Sequence, residues 1–416
     1  MKVCVFEDKK FNNLFPLTYF RPVYLLRCGI KSLSRKIEDV FREYQVLYKS
    51  RSYLKDVAIN DYNVKIMDKL DSDDVLFING RVLVDDEFKN RLLQNDSEKI
   101  FTSNGDIIAV FVKGSNVVRV EEKINNFSLD SYSFDFDTEE IECRVVKYPW
   151  DLIVYNKDEL KKDFFSIKES DNIRGKVYPG TAILSKENIF IGEDSIVKPN
   201  SVIDAENGPV YIGKNVEVMP NSIIIGPAYI GDNSIIKAGA KILEGTNIGE
   251  VCKIGGEVYN SIVQSYSNKQ HDGFLGNSYI GSWVNLGAGT NNSDLKNNYG
   301  NVRMWVNNRF VNTGIMSVGV IMGDHTKTAI NTAFNTGTIA GAVCNIFGEG
   351  FPPKYIPSFL WGGKYGFKEY NLEQGLRTME IVMQRRNVKL SEEYKDLVYY
   401  IFNYTQKDRG KFIKNR

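Results

Sequence analysis

The sequence predicts three consecutive parts: an α/β layer domain over residues 1–165, a parallel β-solenoid over 175–350 and a helical extension over 351–416. The first observation behind this is a period of six. Ile212, Val218, Ile224, Ile230, Ile236, Ile242, Ile248 and Ile254 recur at that interval, which neither a helix nor a simple strand has. The second is an alternation, ahead of the repeats, of short β-branched runs (residues 2–6, 74–78 and 107–112) with amphipathic stretches such as 30–44, the order of a layered α/β domain. The third is apolar spacing of helical type over 370–386, after Pro352, Pro353 and Pro357 end the regular pattern.

A chain of 416 residues with 43% hydrophobic and 25% charged residues has the composition of ordinary globular domains and can bury real cores. Lys and Arg number 53 against 52 Asp and Glu, so no overall field draws the protein to nucleic acid or to an anionic membrane. The opening run from Met1 to Asp8 is too short for a signal peptide, and nowhere do about 18 apolar residues follow one another. These readings predict a soluble cytoplasmic protein. Residues 157–171, rich in Lys and Asp, read as the linker into the solenoid, and the basic tail 407–416 reads as solvated.

In the repeats, Ile191, Val197 and Ile203 precede the main run at the same spacing, and Met316, Met322, Thr328, Phe334, Ala340 and Ile346 resume it more loosely. Glycine often follows the aliphatic position, as at Ile191-Gly192, Ile212-Gly213 and Ile230-Gly231. A unit apolar at one position and tolerant of turns at others suits a short strand and a bend, stacked so that each rung buries its aliphatic residue. Five scattered cysteines with no C-x-x-C pair read as reduced thiols, Cys252 and Cys344 as small buried residues of the solenoid.

The repeats resemble the hexapeptide-repeat family, which implies a left-handed β-helix with three hexads per coil, assembled as a homotrimer with active sites between subunits. Only two histidines occur, His271 and His325. Around the first, Asn268-Lys269-Gln270-His271-Asp272-Gly273-Phe274-Leu275-Gly276 leads into Ile280-Gly281-Ser282-Trp283-Val284-Asn285-Leu286-Gly287-Ala288-Gly289-Thr290. This stretch resembles the acetyltransferase half of the bifunctional bacterial enzymes that N-acetylate glucosamine-1-phosphate and uridylylate the product. The chemistry asks for such a histidine, because an amine attacking a thioester must lose a proton and an imidazole titrating near ~6.5 can take it. His271 is therefore the candidate general base, against the alternative of a structural histidine. The Gly287-Ala288-Gly289 amides are candidates for an oxyanion site.

By resemblance Asn285 contacts the sugar, and Ala288 and Gly289 line the site of acetyl-CoA. The arginine that holds the phosphates corresponds to Lys237, which keeps the charge and loses the bidentate fork. The family's lysine one coil later is Gly255, with Lys253 nearby, and its tyrosine is Phe274. Its Asn-Tyr pair is matched by Asn298-Tyr299, further from Thr290 than the resemblance predicts. His325, beside a run rich in Asn and Thr, stands between a structural role and a ligand contact; a polar inner ladder is expected there.

At the N-terminus, Pro16-Leu17-Thr18-Tyr19-Phe20-Arg21-Pro22 resembles a motif of sugar nucleotidyltransferases, whose Gly-rich triphosphate loop is missing here. The strand ending Asn79-Gly80 carries Arg81 where the family has a magnesium-binding aspartate, and Asp85 and Asp86 are displaced. The truncated opening and the Asn268 to Gly276 segment together identify the chain as resembling a variant family of UDP-N-acetylglucosamine diphosphorylase and glucosamine-1-phosphate N-acetyltransferase. What the resemblance implies is acetyl transfer from acetyl-CoA to an amino-sugar phosphate, coupled to nucleotidyl transfer from UTP with Mg2+, the metal's ligands being unassigned. Thr18, Arg21, Arg27, Asn79 and Arg81 are the candidate nucleotide-binding residues. Two alternatives stay open: nucleotidyl transfer alone with the solenoid as scaffold, and a non-enzymatic assembly protein.

Overall fold

The computed structural model describes residues 1–67, 69–70, 74–94, 97–167 and 172–414. By contacts the chain forms two compact units: one of residues 1–14, 20–26 and 31–148, the other of residues 15–19, 27–30 and 149–416.

The first unit holds strands β1 (Lys2–Phe6), β2 (Gln45–Tyr48), β3 (Asp74–Asn79), β4 (Val82–Leu83), β5 (Lys99–Ser103), β6 (Asp106–Lys113), β7 (Asp137–Glu140) and β8 (Arg144–Val145). β4 pairs with β8, and the others form one sheet in the order β2-β1-β3-β6-β5-β7. The buried runs Val3 to Phe6 and Val75 to Ile78 make β1 and β3 strands covered on both faces. Helices α1 (Leu33–Val40), α2 (Lys55–Asn60), α3 (Asp86–Leu93) and α4 (Ser115–Asn125) connect them. α1 starts where the Ser32 hydroxyl accepts from the Arg35 amide at 3.2 Å. The chain leaves β1 for the parallel neighbour β2 on one side and returns to the parallel neighbour β3 on the other. Such a reversal opens a crevice at the carboxyl ends of the two strands.

In the second unit each coil adds one strand to each of three stacked parallel sheets, of which one runs to nine strands, from Ile189–Ile191 to Tyr355–Ile356. Ile212, Ile230 and Ile248 lie in register one coil apart. They, with Val218, Ile224, Ile236, Ile242 and Ile254, are fully buried and form the single hydrophobic column of the prism. The parallel β-helix expected from the period of six is thus present. The period fades after Ile254 because the corners shorten: Val263 stacks on Ile248 and Ile280 on Val263. Met322, Phe334, Ala340 and Ile346 point inward as expected, whereas Met316 is 52% exposed. The reason is an insertion: residues 294–317 leave the coil through a Leu295–Ser317 bridge and form a hairpin, Arg303–Val306 with Arg309–Asn312.

Three sequence expectations change. Residues 157–167 are no linker but the end of helix α5 (Pro149–Ile167), whose Leu160 and Phe164 pack on Phe190 and Tyr229 of the outer solenoid wall while Lys161 and Lys162 between them are exposed; 168–171 lie outside the described residues. The proline cluster does not end the solenoid, since Tyr355–Ile356 and Leu360–Gly363 add further parallel strands. Pro352, Pro353 and Pro357 sit at the corners, where no ladder amide is needed. Helices α6 (Leu372–Gln384), α7 (Glu392–Tyr404) and α8 (Gln406–Lys414) follow. The basic tail is helical over residues 407–414, with 415–416 outside the described residues: Arg409, fully buried, donates to Glu369 at 2.8 Å and lies 4.1 Å from the Phe402 ring centroid, while Phe412 and Ile413 pack on the solenoid core.

Candidate functional site

His271 stands at a solenoid corner, between the strands Asn268–Lys269 and Phe274–Gly276, with its side chain exposed. The corner is held one coil further along by the Gly289 amide, which donates to the Asp272 carbonyl at 3.0 Å. Gly289 has φ +70, and a Cβ there would meet Asn331 Oδ1 at 2.2 Å; a Cβ on Gly273 would meet the Thr290 carbonyl at 2.2 Å. These contacts bring His271, Ala288 and Gly289 onto one corner. The oxyanion expectation narrows: the Gly287 amide donates to Thr328 Oγ1 at 3.0 Å and Gly289 to Asp272, so of the three only the Ala288 amide has no partner among the described residues.

Lys237 lies two coils before His271 at the same corner. A Cβ on Gly255 would lie 3.1 Å from Lys237 Cβ and 2.4 Å from the Gln270 carbonyl, so Lys237, Gly255 and Gln270 stack in succession. Phe274 is half-buried, its amide donating to Asn291 Oδ1 at 2.7 Å. Asn285 is exposed on the adjoining wall, where Asn268, Asn285 and Lys327 follow one another in register. Asn298 and Tyr299 belong to the 294–317 insertion. Asn298 Oδ1 accepts from the Gly300 amide at 3.1 Å, and the Tyr299 ring is open to solvent; neither bonds to the His271 corner.

One neighbour of His271 escaped sequence reasoning. Lys269 takes the inward position that Ile254 holds one coil earlier. Its ammonium turns back to the carbonyls of Gly255 (3.0 Å) and His271 (2.9 Å), and burial pushes its pKa down to about 8, with Asp272 and Glu257 opposing. The available signal was the lysine itself, standing in an otherwise aliphatic column. His325 stands in a ring stack at another corner, parallel to Trp283 (6.2 Å), which stacks on Tyr266 (4.2 Å). Its Nε2 meets the Tyr394 hydroxyl of α7 at 2.9 Å. Of the inner polar ladder expected beside it, one buried rung is present, Thr290 Oγ1 with Thr328 Oγ1 (2.9 Å), whereas the next pair, Ser293 Oγ with Thr336 Oγ1 (2.7 Å), has Ser293 exposed.

In the first unit, the crevice beyond β1 and β3 holds a cavity of about 400 Å³ lined by Asp8, Lys9, Lys10, Asp106, Phe127 and Ser131. A second, of about 390 Å³, is lined by Glu7, Lys49, Ser50, Arg51, Lys55 and Phe127. None of the five sequence candidates lines either. Arg81, fully buried, donates through Nε to Asp8 (2.9 Å) and through Nη2 to Asp106 (2.7 Å). Asn79 Nδ2 donates to Asp8 at 3.0 Å. Arg21 and Thr18 are buried, and the Arg21 carbonyl accepts from Arg51 Nη2 at 2.9 Å. Arg27 belongs to the second unit, in a two-pronged bond to Glu250 at 2.6 and 2.7 Å. Burial raises the Glu250 carboxyl's pKa, yet Arg27 and Ser265 hold it at about 2. The crevice residues had a signal: charges crowd directly behind β1 (Glu7 to Lys10) and behind β2 (Lys49 to Ser52).

A divalent cation does not fit this crevice. The two carboxylates that face each other, Asp8 and Asp106, are bridged by the Arg81 guanidinium, and Lys10 (2.8 Å) and Lys147 (3.2 Å) also pair with Asp106. Burial raises the Asp106 pKa, but Lys10 and Arg81 overcome it and hold it at about 2. Among the described residues no group of three or more His, Cys, Asp or Glu side chains is placed to hold a metal.

Residues 3–172 match the sugar nucleotidyl transferase family, and residues 209–244 match the six-repeat bacterial transferase hexapeptide family. The chain is 25% identical over 282 residues to the bifunctional protein GlmU of Bartonella quintana, covering 63% of this chain and 56% of that protein. It is 31% identical over 170 residues to GlmU of Synechococcus elongatus, covering 36% of this chain and 33% of that one. The chain therefore spans between a third and just over half the length of these two relatives. With GlmU of Methanococcus aeolicus it is 25% identical over 399 residues, 80% of this chain and 90% of that one. The solved Arabidopsis UDP-N-acetylglucosamine acyltransferase aligns with 51% of this chain and 78% of its own at 18% identity and a TM-score of 0.26, a likeness that carries no argument of its own. Among the described residues no helix is long and apolar enough to cross a membrane.

Proposed function

For a chain that joins a sugar nucleotidyl transferase domain to hexapeptide-transferase repeats, we propose a role in sugar-nucleotide synthesis, with acetyl transfer from acetyl-CoA to an amino-sugar phosphate at the His271 corner. The observation that carries the reading is the bond between the Gly289 amide and the Asp272 carbonyl, which ties the histidine's turn to the glycine-notched turn one coil on. His271 takes a proton from the substrate amine as its nitrogen attacks the thioester carbonyl. The Ala288 amide is the donor left for the oxygen that gains charge. The C–N bond forms, the C–S bond breaks, and the proton on the imidazole passes to the departing thiolate of coenzyme A. Lys237 and Asn285 serve the acceptor, Gly289 keeps the donor's path clear, and Phe274 forms apolar wall.

The reading includes a homotrimer. On one chain His271 is exposed to water, and a base acting on a thioester gains from a second wall that excludes solvent. Asn298 and Tyr299, on an insertion that makes no bond to the corner of its own chain, suit contact across such a wall. A cytoplasmic location follows from the donor. Release of free coenzyme A thiol from acetyl-CoA and glucosamine-1-phosphate tests the proposal: His271→Ala lowers the rate by ~10²-fold or more. No turnover by the unaltered protein overturns it.

A second reading places a nucleotide such as UTP in the first unit, supported by the crevice at the strand ends and its Lys9, Lys10, Lys49 and Lys55. Mg2+ has no place between Asp8 and Asp106, because the Arg81 guanidinium occupies that space. A thermal shift with UTP in the absence of divalent metal is the expected outcome.

A further inference from the structure

We infer that Lys269 is a positioning residue for acetyl transfer at the His271 corner: its buried ammonium holds the backbone of the turn that carries the base, and loss of its proton loosens that turn. This role deepens the acetyl-transfer reading and rests on it for the identity of the reaction.

Lys269 stands over Ile254 of the coil before, and Leu286, next to the Asn285 that pairs with Asn268, follows one coil on. Both neighbours belong to the buried aliphatic core. A charge among them is costly, and the four-carbon stem of lysine fills the rung while its ammonium leaves the column. The space it enters is cut by a glycine. Gly256 has φ +69, and a Cβ there would lie 2.6 Å from Lys269 Nζ, 2.8 Å from the Gly273 carbonyl oxygen and 2.9 Å from that of His271. From this notch Nζ donates to the carbonyls of Gly255 (3.0 Å) and His271 (2.9 Å).

These bonds complete the turn. The Asp272 carbonyl accepts from the Gly289 amide at 3.0 Å, and the Gly273 carbonyl accepts from the Glu257 amide at 3.1 Å. The His271 carbonyl takes the ammonium instead. The residue of the base is thus held by a side chain that titrates, its two successors by amides that do not. The charges facing the ammonium are Asp272 on the same turn and Glu257 on the coil before, the latter paired with Lys241 at 3.3 Å. Burial lowers the pKa of Lys269, both carboxylates oppose it, and the balance stands at about 8. Below that pH the two bonds are charge-assisted; above it the neutral amine makes bonds of roughly half the strength. A base displaced by about 1 Å can lose up to ~10²-fold in rate.

The pH profile of acetyl transfer from acetyl-CoA to glucosamine-1-phosphate tests this role. The rate of the unaltered protein should rise as His271 loses its proton and fall again around pH 8 as Lys269 does. Lys269→Met keeps an apolar stem; it should lower kcat by about tenfold below that pH, hold both KM values within about twofold and lack the alkaline fall. Glu257→Gln removes a charge that favours the ammonium and should move the fall to lower pH with the plateau rate unchanged, which a merely structural lysine would not do. The chain's two histidines allow a readout that needs no turnover. In a proton NMR titration the ring signals of His271, assigned by their loss in His271→Ala, should take a second step around pH 8 that Lys269→Met lacks. If the protein does not acetylate and that step is present, the activity reading fails and positioning by Lys269 stands. A Lys269→Met protein that keeps the unaltered kcat and alkaline fall, or a fall that Glu257→Gln leaves in place, overturns the inference while the activity reading survives.

Discussion

The two units bury opposite things. The solenoid stacks Ile212, Ile230, Ile248 and their counterparts in one dry column and carries most of its ion pairs, such as Lys198 with Glu217, on its outer walls. The α/β unit instead sinks charge into the carboxyl edge of its sheet: Arg81 between Asp8 and Asp106, Arg51 on Glu7, Lys49 on Glu121. A repeat of six favours apolar residues inside, since most inward positions stack on an aliphatic one coil away, and polar ones such as Thr328 over Ile346 and Asn292 over Phe334 come only late in the solenoid. A doubly wound sheet has one edge that differs from all the rest, and buried polarity collects there. The exception in the solenoid is Lys269, a charge in the aliphatic column, and it lies beside the proposed catalytic corner.

The largest effect should come from the charged edge. Arg81→Ala removes the fully buried guanidinium from between the part-exposed Asp8 and the buried Asp106, which keeps Lys10 and Lys147, and is expected to destabilise the protein by about 3 kcal/mol in urea unfolding. Millimolar Mg2+ should then raise the variant's Tm and leave that of the unaltered protein unmoved; an equal rise in both would break the view that the guanidinium stands in a cation's place. In the solenoid, Ile236→Ala removes a fully buried rung and should cost about 3 kcal/mol. Its outward neighbour Ile235 should cost under about 1 when changed to Ala, and equal losses would refute the one-column core.

The Lys269 exception predicts a pH signature. Lys269 and Lys327 titrate at about 8 when folded against 10.5 for an ordinary lysine, burial being the leading cause in both. The unfolded chain thus holds protons that the folded chain has released, and stability rises with pH through this window. The thiols of Cys4, Cys252 and Cys344, pushed up to about 12 by burial, work the other way above pH 9. Between pH 8 and 9 the Tm of the unaltered protein should therefore climb relative to that of Lys269→Met, and parallel curves would show the ammonium to be solvated. The smallest effect belongs to local structure in the charged unit. Asp85 Oδ1 accepts from the Phe88 amide at 3.0 Å as the cap of α3, and Asp85→Ala should cost about 1 kcal/mol by denaturant titration.

Legibility follows the same division. The inward isoleucines could be read because their spacing is local and repeats, and the reading failed where the chain departed from the repeat: at the shortened corners after Ile254, at the insertion that carries Met316 outward, and at the prolines that proved to be corner residues. That His271, Ala288 and Gly289 fall on one corner could be read from their spacing along the coils. The availability of the Gly287 and Gly289 amides could not, since their partners Thr328 and Asp272 lie on other coils.

By itself the sequence determined the parallel solenoid, the layered domain ahead of it and the helices after it, because periodicity and breakers act over a few residues. Tertiary structure alone decided which charges are spent and which stand ready. Arg27 meets Glu250 from 223 residues away, Arg81 meets Asp8 across 73, and Arg386 meets Asn268 across 118. No local pattern encodes such pairings, since an ion pair is selected by the distance and burial that the finished fold imposes.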